Sequence, residues 1–398
     1  MKSYKYAVVL GLLSAVGPFA IDMYLPALPA ISSDLGASTA ATPTTLMVFF
    51  VTFGVAQIAY GPISDTVGRR PPLFFGLAIF AIGGVGCALS PTIEWLIFFR
   101  FVQGIGAAAC AITPRAIIRD LHTGIEAAKL MSTVMLVFSV APILAPLIGS
   151  TIIVPFGWRG VFAAITFVSL LGLLLVTFAL PETLPPERRK PLALATMGRS
   201  FGTLFRDARF LGLTLIAGLG LASFFSFIAN ASFIYIDHYG MSPLEFSFAF
   251  SVNAIGFIGA SQFAAMLARR HGFNRVVLTA VTAYMVLSLI LLGLTVAGFT
   301  GLAVLMVGLF LAFACLGLVI PSSMVMALEE HGPIAGVASA LGGTIQFLTG
   351  AVMVTVASLL FDGTSLPMVG IIAACSVCAF ILARLLLRRP APAPAPAE

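Results

Sequence analysis

Two charged side chains lie inside apolar stretches, and together they could bind and release a proton. Asp22 stands near the end of the first apolar stretch, and Arg100 lies within the fourth. An arginine in a bilayer costs about 2.5–3.5 kcal/mol on insertion scales, so it should face a cavity or a partner. Burial and a positive neighbour act in opposite directions on the proton affinity of a carboxylate. Their positions predict similar depths, so a change in geometry would load or unload a proton; a static ion pair and an arginine reaching the outer surface are the alternatives.

A glycine-containing basic loop follows the second apolar stretch and could act as a gate. It reads Gly61-Pro-Ile-Ser-Asp65-Thr-Val-Gly68-Arg69-Arg70. Glycines allow a tight turn, and Asp65 can sit at a helix N-terminus. Arg69 and Arg70 can pair with acids on neighbouring helices. An ordinary basic loop is the alternative.

The fifth apolar stretch has the composition of a kinked and closely packed helix. Pro142 and Pro146 kink or soften a helix, and small residues such as Gly149 let a neighbouring helix approach. A generic kinked membrane helix would have the same composition.

Aromatic and amide side chains elsewhere in the apolar stretches predict a cavity suited to flat, apolar compounds. Few charged residues accompany them, which argues against strongly charged substrates. Because the chain has 34 phenylalanines, simple packing is the alternative for each aromatic candidate. The candidates are Tyr24, Gln103, Phe224, Asn230, Asn253 and Gln346.

The elements that must position these residues are transmembrane helices. Of 398 residues, 60% are apolar and only 9% are charged, whereas soluble domains carry roughly 25% charged residues. Apolar runs of about 20 residues cross a bilayer core. The chain is therefore predicted to be an all-α protein with twelve transmembrane helices, at 6–27, 42–62, 72–90, 93–114, 130–152, 160–180, 210–235, 245–267, 274–297, 300–327, 334–360 and 367–388.

The distribution of positive charge orients these helices. With the N-terminus inside, the cytoplasmic segments hold 19 of the 21 Lys and Arg residues, all except Arg100 and Arg159. Cytoplasmic segments of membrane proteins carry such an excess. Both termini are therefore predicted to be cytoplasmic. The same rule explains the pI near 9.3 without nucleic-acid binding.

The twelve predicted helices divide into two sets of six around a basic central segment. The predicted organisation is an N-terminal half at 1–180, a cytoplasmic linker at 181–209, a C-terminal half at 210–388 and a disordered Ala/Pro tail at 389–398. Two such halves, packed about an axis along the membrane normal, are a known plan of membrane transporters.

Several motifs resemble those of the major facilitator superfamily. Residues 61–70 match its G-x-x-x-D-x-x-G-R-[RK] loop, and residues 100–106 are similar to its R-x-x-q-G-x-g motif. The fifth stretch is similar to the antiporter motif G-P-x-x-G-G, although Ala145 and Ser150 replace glycines. Asp-Met-Tyr-Leu-Pro-Ala-Leu-Pro at 22–29 and Leu-Pro-Glu-Thr at 180–183 resemble the Bcr/CflA group of bacterial drug exporters.

The resemblance implies a multi-pass protein of the bacterial cytoplasmic (inner) membrane that exports small lipophilic drugs in exchange for protons, by alternating access. It implies that Asp22 is the proton-coupling carboxylate, that Arg100 is its partner and that the loop at 61–70 latches the cytoplasmic side in the outward-facing state. The coupling ion is then H⁺, with no other cofactor, no metal and no nucleic acid. The expected partners are a drug-like small molecule and the lipid bilayer, and the expected state is a monomer.

Two other functions stay open. An exporter or importer of a native metabolite, such as a sugar or an amino acid, would use the same set of helices. A polytopic membrane enzyme or receptor belongs to a different class. Against an enzyme, the sequence contains no H-E-x-x-H or G-x-S-x-G motif, and its four histidines lie in predicted loops without metal-ligand spacing.

Overall fold

In the computed structural model of the protein, the described residues are 2–122, 124–189 and 194–387, and every regular element among them is helical. The predicted all-α fold is confirmed. The Ala/Pro tail predicted at 389–398 lies outside the described residues. The α-helices are α1 (Lys2–Asp22), α2 (Leu28–Asp34), α3 (Thr44–Val67), α4 (Arg70–Leu89), α5 (Ile93–Leu121), α6 (Gly124–Phe178), α7 (Leu194–Arg206), α8 (Ala208–Ser232), α9 (Pro243–His271), α10 (Phe273–Val296), α11 (Leu302–Glu329), α12 (Ala335–Leu359) and α13 (Leu366–Leu387).

Eleven helical segments of the described chain are long and apolar enough to cross a membrane. One of them lies in α6, whose 55 residues would extend about 80 Å, far more than a hydrocarbon core of about 30 Å. The backbone of α6 leaves helical geometry at Gly157, where φ is 65°. This break falls between the fifth and sixth predicted spans. Two crossings within α6 would bring the number to twelve.

Large apolar side chains cover much of the outer surface of the bundle. Phe178 and Val154 are each 81% exposed, and Leu89 is 75% exposed. Water would penalise this exposure, whereas lipid chains accept it. The surface therefore supports the assignment of these helices to a bilayer.

The helices pack as two bundles. Helices α1, α3, α4, α5 and α6 contact one another and form the first bundle, while α8 to α13 form the second. Two helix pairs join the bundles, α3 with α12 and α6 with α9. At the first junction the Thr344 hydroxyl donates to the Gly54 carbonyl over 2.6 Å, and Phe50 stacks on Phe225 with ring centroids 3.9 Å apart.

The segment between the bundles contains a helix that the sequence analysis did not predict. Helix α7 is amphipathic: Leu204 is fully buried against the second bundle, while Phe205 on the next position is 57% exposed. Helix α7 contacts α8 and α12. The linker thus packs along one end of the second bundle. The same end of the molecule carries Arg69 and Arg119 of the first bundle and Arg209 of the second. We call it the basic end.

Candidate functional site

The loop between α3 and α4 is fixed by Arg69. The Arg69 side chain is nearly buried, with 6% of its surface exposed. Its Nε and Nη2 atoms donate to the two carboxylate oxygens of Asp120 on α5, over 2.7 and 3.2 Å. Its Nη1 atom donates to Asp65 over 2.6 Å and to the Ser64 hydroxyl over 2.7 Å. A two-point contact between a guanidinium and a carboxylate fixes both position and orientation, so Arg69 ties the end of α3 to α5.

Glu182 holds the start of α4. Its carboxylate, which follows α6 in the chain, accepts the backbone N–H groups of Arg69 over 2.8 Å and Arg70 over 3.1 Å. It also accepts the N–H groups of Thr183 and Leu184, each over 3.0 Å. Partial burial acts to raise the pKa of Glu182, but these four hydrogen bonds outweigh it and hold the pKa below its usual range. Glu182 therefore caps α4 as an anion.

Asp65 does not sit at a helix N-terminus, as the sequence analysis expected. It lies in the last turn of α3, where its carboxylate pairs with Arg69 one turn later in the chain. The reason is that α3 continues to Val67, so the free N–H groups belong to α4 and are taken by Glu182. The Arg70 guanidinium donates to the carbonyls of Val176 and Thr177 at the end of α6.

Gly68 makes this turn possible. Its φ of 104° lies in a region that side-chain-bearing residues rarely adopt. A Cβ atom at this position would also lie 2.7 Å from Glu182 Oε2. Gly61, nearly two turns before the end of α3, faces open space instead and lines the cavity described below.

Asp22 is the last residue of α1, and the chain then turns into a short 3₁₀ helix at Leu25–Ala27. Its side chain is buried, with 5% exposure. The Asp22 carboxylate forms no hydrogen bond or ion pair with any residue that the structure describes. Burying a carboxylate without such partners is unfavourable for its charged form.

Arg100 is fully buried in an aromatic box rather than paired with a carboxylate. Its Cζ atom lies 4.4 Å from the Phe49 ring centre, 4.9 Å from that of Tyr24 and 6.0 Å from that of Phe162. Its Nη1 atom donates to Gln103 Oε1 over 2.7 Å and to the carbonyl of Ala20 over 3.1 Å. The Nε and Nη2 atoms have no partner among the described residues.

Asp22 and Arg100 form no ion pair with each other in this conformation. Arg100 instead contacts α1 through the carbonyl of Ala20, two residues before Asp22. The similar depth expected from the sequence stays a prediction. Their direct pairing, also expected, is not made here.

The proline-containing part of α6 forms the second junction between the bundles. The Ser247 hydroxyl of α9 donates to the Pro146 carbonyl over 2.9 Å, and that of Ser251 to the Ile143 carbonyl over 3.0 Å. A Cβ atom at Gly149 would overlap the carbonyl of Met23. Pro142 lies in the same helix one turn before Pro146. This stretch thus touches both α9 and the chain just after Asp22.

The six residues predicted to line a substrate cavity are dispersed. Tyr24 and Gln103 belong to the Arg100 box, and the Tyr24 hydroxyl bonds that of Thr45. Phe224 packs among the rings of α9 and α11, while Asn230 and Asn253 donate to carbonyls of their own helices. Gln346 contacts the Met324 sulfur. None of the six lines the cavity at the basic end.

A cavity of about 630 Å³ opens between the bundles at the basic end. Gly61, Asp65 and Arg69 belong to residues 61–70, which we call the gate loop, and form part of the cavity wall, while α7 and the start of α12 form the opposite part. At the other end of the bundles, the 3₁₀ helix at Leu25–Ala27 contacts α8 and α9. The bundles therefore meet near Asp22 and separate near the gate loop.

Three contributors to this site escaped the sequence analysis. Asp120 and Glu182 bind Arg69 and the start of α4, yet nothing in the spacing of either residue marks it as a partner of that loop. Glu182 was noticed only as part of a motif that resembles drug exporters. The third is the pair Arg115 and Arg119, which lines the cavity although both residues count simply as cytoplasmic charges in the sequence.

Two membrane-spanning helical bundles with a cavity between them are the architecture of secondary transporters. Residues 10–354 match the Major Facilitator Superfamily, and the chain belongs to this family of transporters. It is 36% identical to the "Uncharacterized MFS-type transporter YdgK" of Bacillus subtilis over 354 residues, 87% of each chain. It is 31% identical to a "Bicyclomycin resistance protein homolog" of Haemophilus influenzae over 377 residues, 94% of each chain.

Among solved structures, the chain superposes on a D-xylose-proton symporter with a TM-score of 0.75, at 17% identity and over 97% of each chain. At this identity the likeness concerns the fold. Together these findings confirm the resemblance to the major facilitator superfamily and to bacterial drug-resistance transporters. The protein is a multi-pass bacterial membrane transporter.

Proposed function

We propose that this protein exports small lipophilic drugs in exchange for protons and that Asp22 carries the proton. The observation that carries the proposal is the buried Asp22 carboxylate, which has no partner among the described residues and lies three residues before the 3₁₀ helix that contacts the second bundle. The bicyclomycin resistance homologue supports a drug as cargo, and the fold of a proton symporter is compatible with H⁺ as the coupling ion.

Twelve crossings, two halves at 1–180 and 210–388, and cytoplasmic termini complete the proposal. A break at Gly157 that divides α6 into two crossings supports the number. The basic end is then cytoplasmic, and the cavity beside the gate loop admits cargo from that side. We take the protein to work as a monomer in the inner membrane.

Transport would follow from rocking of the two bundles about their junctions, α3 with α12 and α6 with α9. In the present conformation Arg100 is held by aromatic rings and the Ala20 carbonyl, so it does not neutralise Asp22. Opening of the opposite end would bring water to Asp22 and allow protonation from outside. Cargo and proton need not touch, because it suffices that they favour different conformations. An inward-moving proton supplies about 2.3 kcal/mol per 100 mV of membrane potential.

The experiment is drug transport in liposomes under an imposed pH gradient, with bicyclomycin, a phenicol and other lipophilic drugs. Wild type is compared with Asp22→Asn and with Asp362→Asn, which alters an exposed loop carboxylate. We expect gradient-driven uptake in wild type and Asp362→Asn, and its loss in Asp22→Asn while drug binding survives. Drug uptake that depends neither on the pH gradient nor on the Asp22→Asn substitution would refute proton coupling through this residue.

A further inference from the structure

The cavity at the basic end contains two arginines without partners. Arg115 and Arg119 lie one turn apart on α5, and both line the cavity. Neither forms a hydrogen bond or ion pair with a residue in the described ranges. Arg69, the third arginine in the wall, is matched by Asp65 and Asp120. Like charges at this spacing repel each other, so the pair on α5 is an uncompensated positive site.

The opposite wall adds a second source of positive potential. The 25-residue helix α12 begins here, and its first residues, including Gly336 and Val337, line the cavity. Its N-cap residue, Ile334, has no capping side chain, and the first turn contains no acidic residue. A 3₁₀ turn at Gly332–Ile334 leads into α12 and its Gly332 carbonyl accepts the N–H of Ala335, so the contribution of this helix start is the positive end of its dipole, which favours an anion. Both walls of the cavity therefore favour negative charge.

The remaining wall is largely apolar. Ile58, Ile112, Met131 and Phe201 contribute to it, from both bundles and from α7. Among the described residues of the lining, Asp65 is the one acidic residue, and its carboxylate is engaged by Arg69. A ligand that fits these walls has an apolar body and one anionic group.

We infer that the cavity binds amphiphilic anions, with Arg115 and Arg119 holding a carboxylate, sulfonate or phosphate group. Guanidinium groups suit such oxygens because their donors form a planar fork. The inference deepens the proposed function, on which it rests for the role of the cavity in cargo uptake. It also replaces the expectation from sequence that strongly charged substrates are disfavoured. The anion can come from soluble cargo or from the headgroup of an acidic lipid.

The test is a binding measurement that does not require transport, so it can fail or succeed independently of proton-coupled export. The purified protein in neutral detergent is titrated with 1-anilinonaphthalene-8-sulfonate and with N-phenyl-1-naphthylamine, which has the same rings without the sulfonate. The variants are Arg115→Gln/Arg119→Gln and a control of equal charge change, Arg269→Gln/Arg270→Gln, whose arginines are exposed at the end of α9 outside the cavity lining.

We expect the α5 double variant to weaken sulfonate binding about tenfold or more and to leave binding of the neutral probe unchanged. The control variant should bind both probes as wild type does. In wild type, added salt should weaken binding of the sulfonate probe but not of the neutral probe. Equal sulfonate affinity in wild type and the α5 variant would overturn the inference, as would an equal loss in the control. Should the double variant elute as an aggregate, the single variants Arg115→Gln and Arg119→Gln provide the same comparison.

The source of the anion is separated in lipid nanodiscs. With phosphatidylcholine alone, sulfonate binding should persist and depend on the two arginines. If adding phosphatidylglycerol displaces the sulfonate from wild type, a lipid headgroup occupies the site; if it does not, the site is reserved for soluble anions. Sulfonate binding that is independent of the arginines in both kinds of disc would contradict the inference.

Discussion

The two bundles carry corresponding loops at the basic end, and these loops share a turn but differ in their interactions. In the first bundle α3 is followed by Gly68, with φ of 104°; in the second, α9 is followed by Gly272, with φ of 79°. Around Gly68, Arg69 is nearly buried between two carboxylates, and Glu182 caps the next helix. After α9 there is no such network: Arg269 and Arg270 are exposed and form no ion pair with a described residue.

This difference separates what makes the turn from what fixes it. A glycine with positive φ suffices to end one helix and start the next, since both loops do so. The ionic network is an addition of the first bundle, and it joins α3, α5, α4 and the end of α6 into one unit. The first loop should therefore hold its neighbouring helices together as a rigid unit, whereas the second loop should only connect α9 to α10.

The largest expected effect comes from removing the arginine in each loop. Arg69→Ala leaves the carboxylates of Asp120 and Asp65, which are 16% and 52% exposed, without their cation. Losing charge-assisted hydrogen bonds to such partly buried groups costs about 2–3 kcal/mol. Arg269→Ala removes an exposed, unpaired side chain and should change stability by less than about 0.5 kcal/mol. The measurement is the free energy of unfolding from denaturant titration in mild detergent. Similar losses in the two variants would remove the distinction between the loops.

The gate loop also illustrates what the sequence could and could not predict. Helices, their orientation and the turn follow from runs of apolar residues, basic segments and glycine spacing, all of which are local patterns. The partners of Arg69 do not, because Asp120 and Glu182 are 51 and 113 residues away in the chain and meet it only through packing.

The proposed proton site shows the same limit. The apolar surroundings of Asp22 and Arg100 identify both residues as unusual. Whether they pair depends on small rotations of α1 and α5. In the structure, Arg100 contacts aromatic rings and the Ala20 carbonyl instead. The cavity lining was less predictable still. Amide and aromatic side chains are common in membrane helices, whereas Arg115 and Arg119 are indistinguishable in sequence from charges that merely orient the chain.

A smaller effect is expected from placing alanine at the two glycines. Either substitution forces a side chain into a sparsely populated backbone region, at about 1–3 kcal/mol. Gly68→Ala should cost more than Gly272→Ala, because its Cβ also meets Glu182 Oε2, whereas nothing lies within 4 Å of the corresponding position at Gly272. The same unfolding titration measures both. In a Glu182→Ala background, the extra loss of unfolding free energy for Gly68→Ala over Gly272→Ala should disappear. If this extra loss persists, Glu182 is not its cause.

The smallest expected effect is dependent on pH and belongs to Glu182 alone. Glutamine at this position can accept with only one oxygen and would place an NH₂ group against an N–H of Arg69 or Arg70. At neutral pH, Glu182→Gln should therefore lower the free energy of unfolding by about 1 kcal/mol, the scale of an anion at a helix start.

The sign of the pH dependence follows from the lowered pKa of Glu182. Its contribution is complete above the unfolded value of about 4.3 and is lost as the pH falls through the lower folded value. The stability curves of wild type and Glu182→Gln, measured between pH 7 and pH 3, should thus be parallel at first and converge below about pH 4. Curves that stay parallel to pH 3 would show that the cap acts without its charge. The first loop would then differ from the second through Arg69 alone.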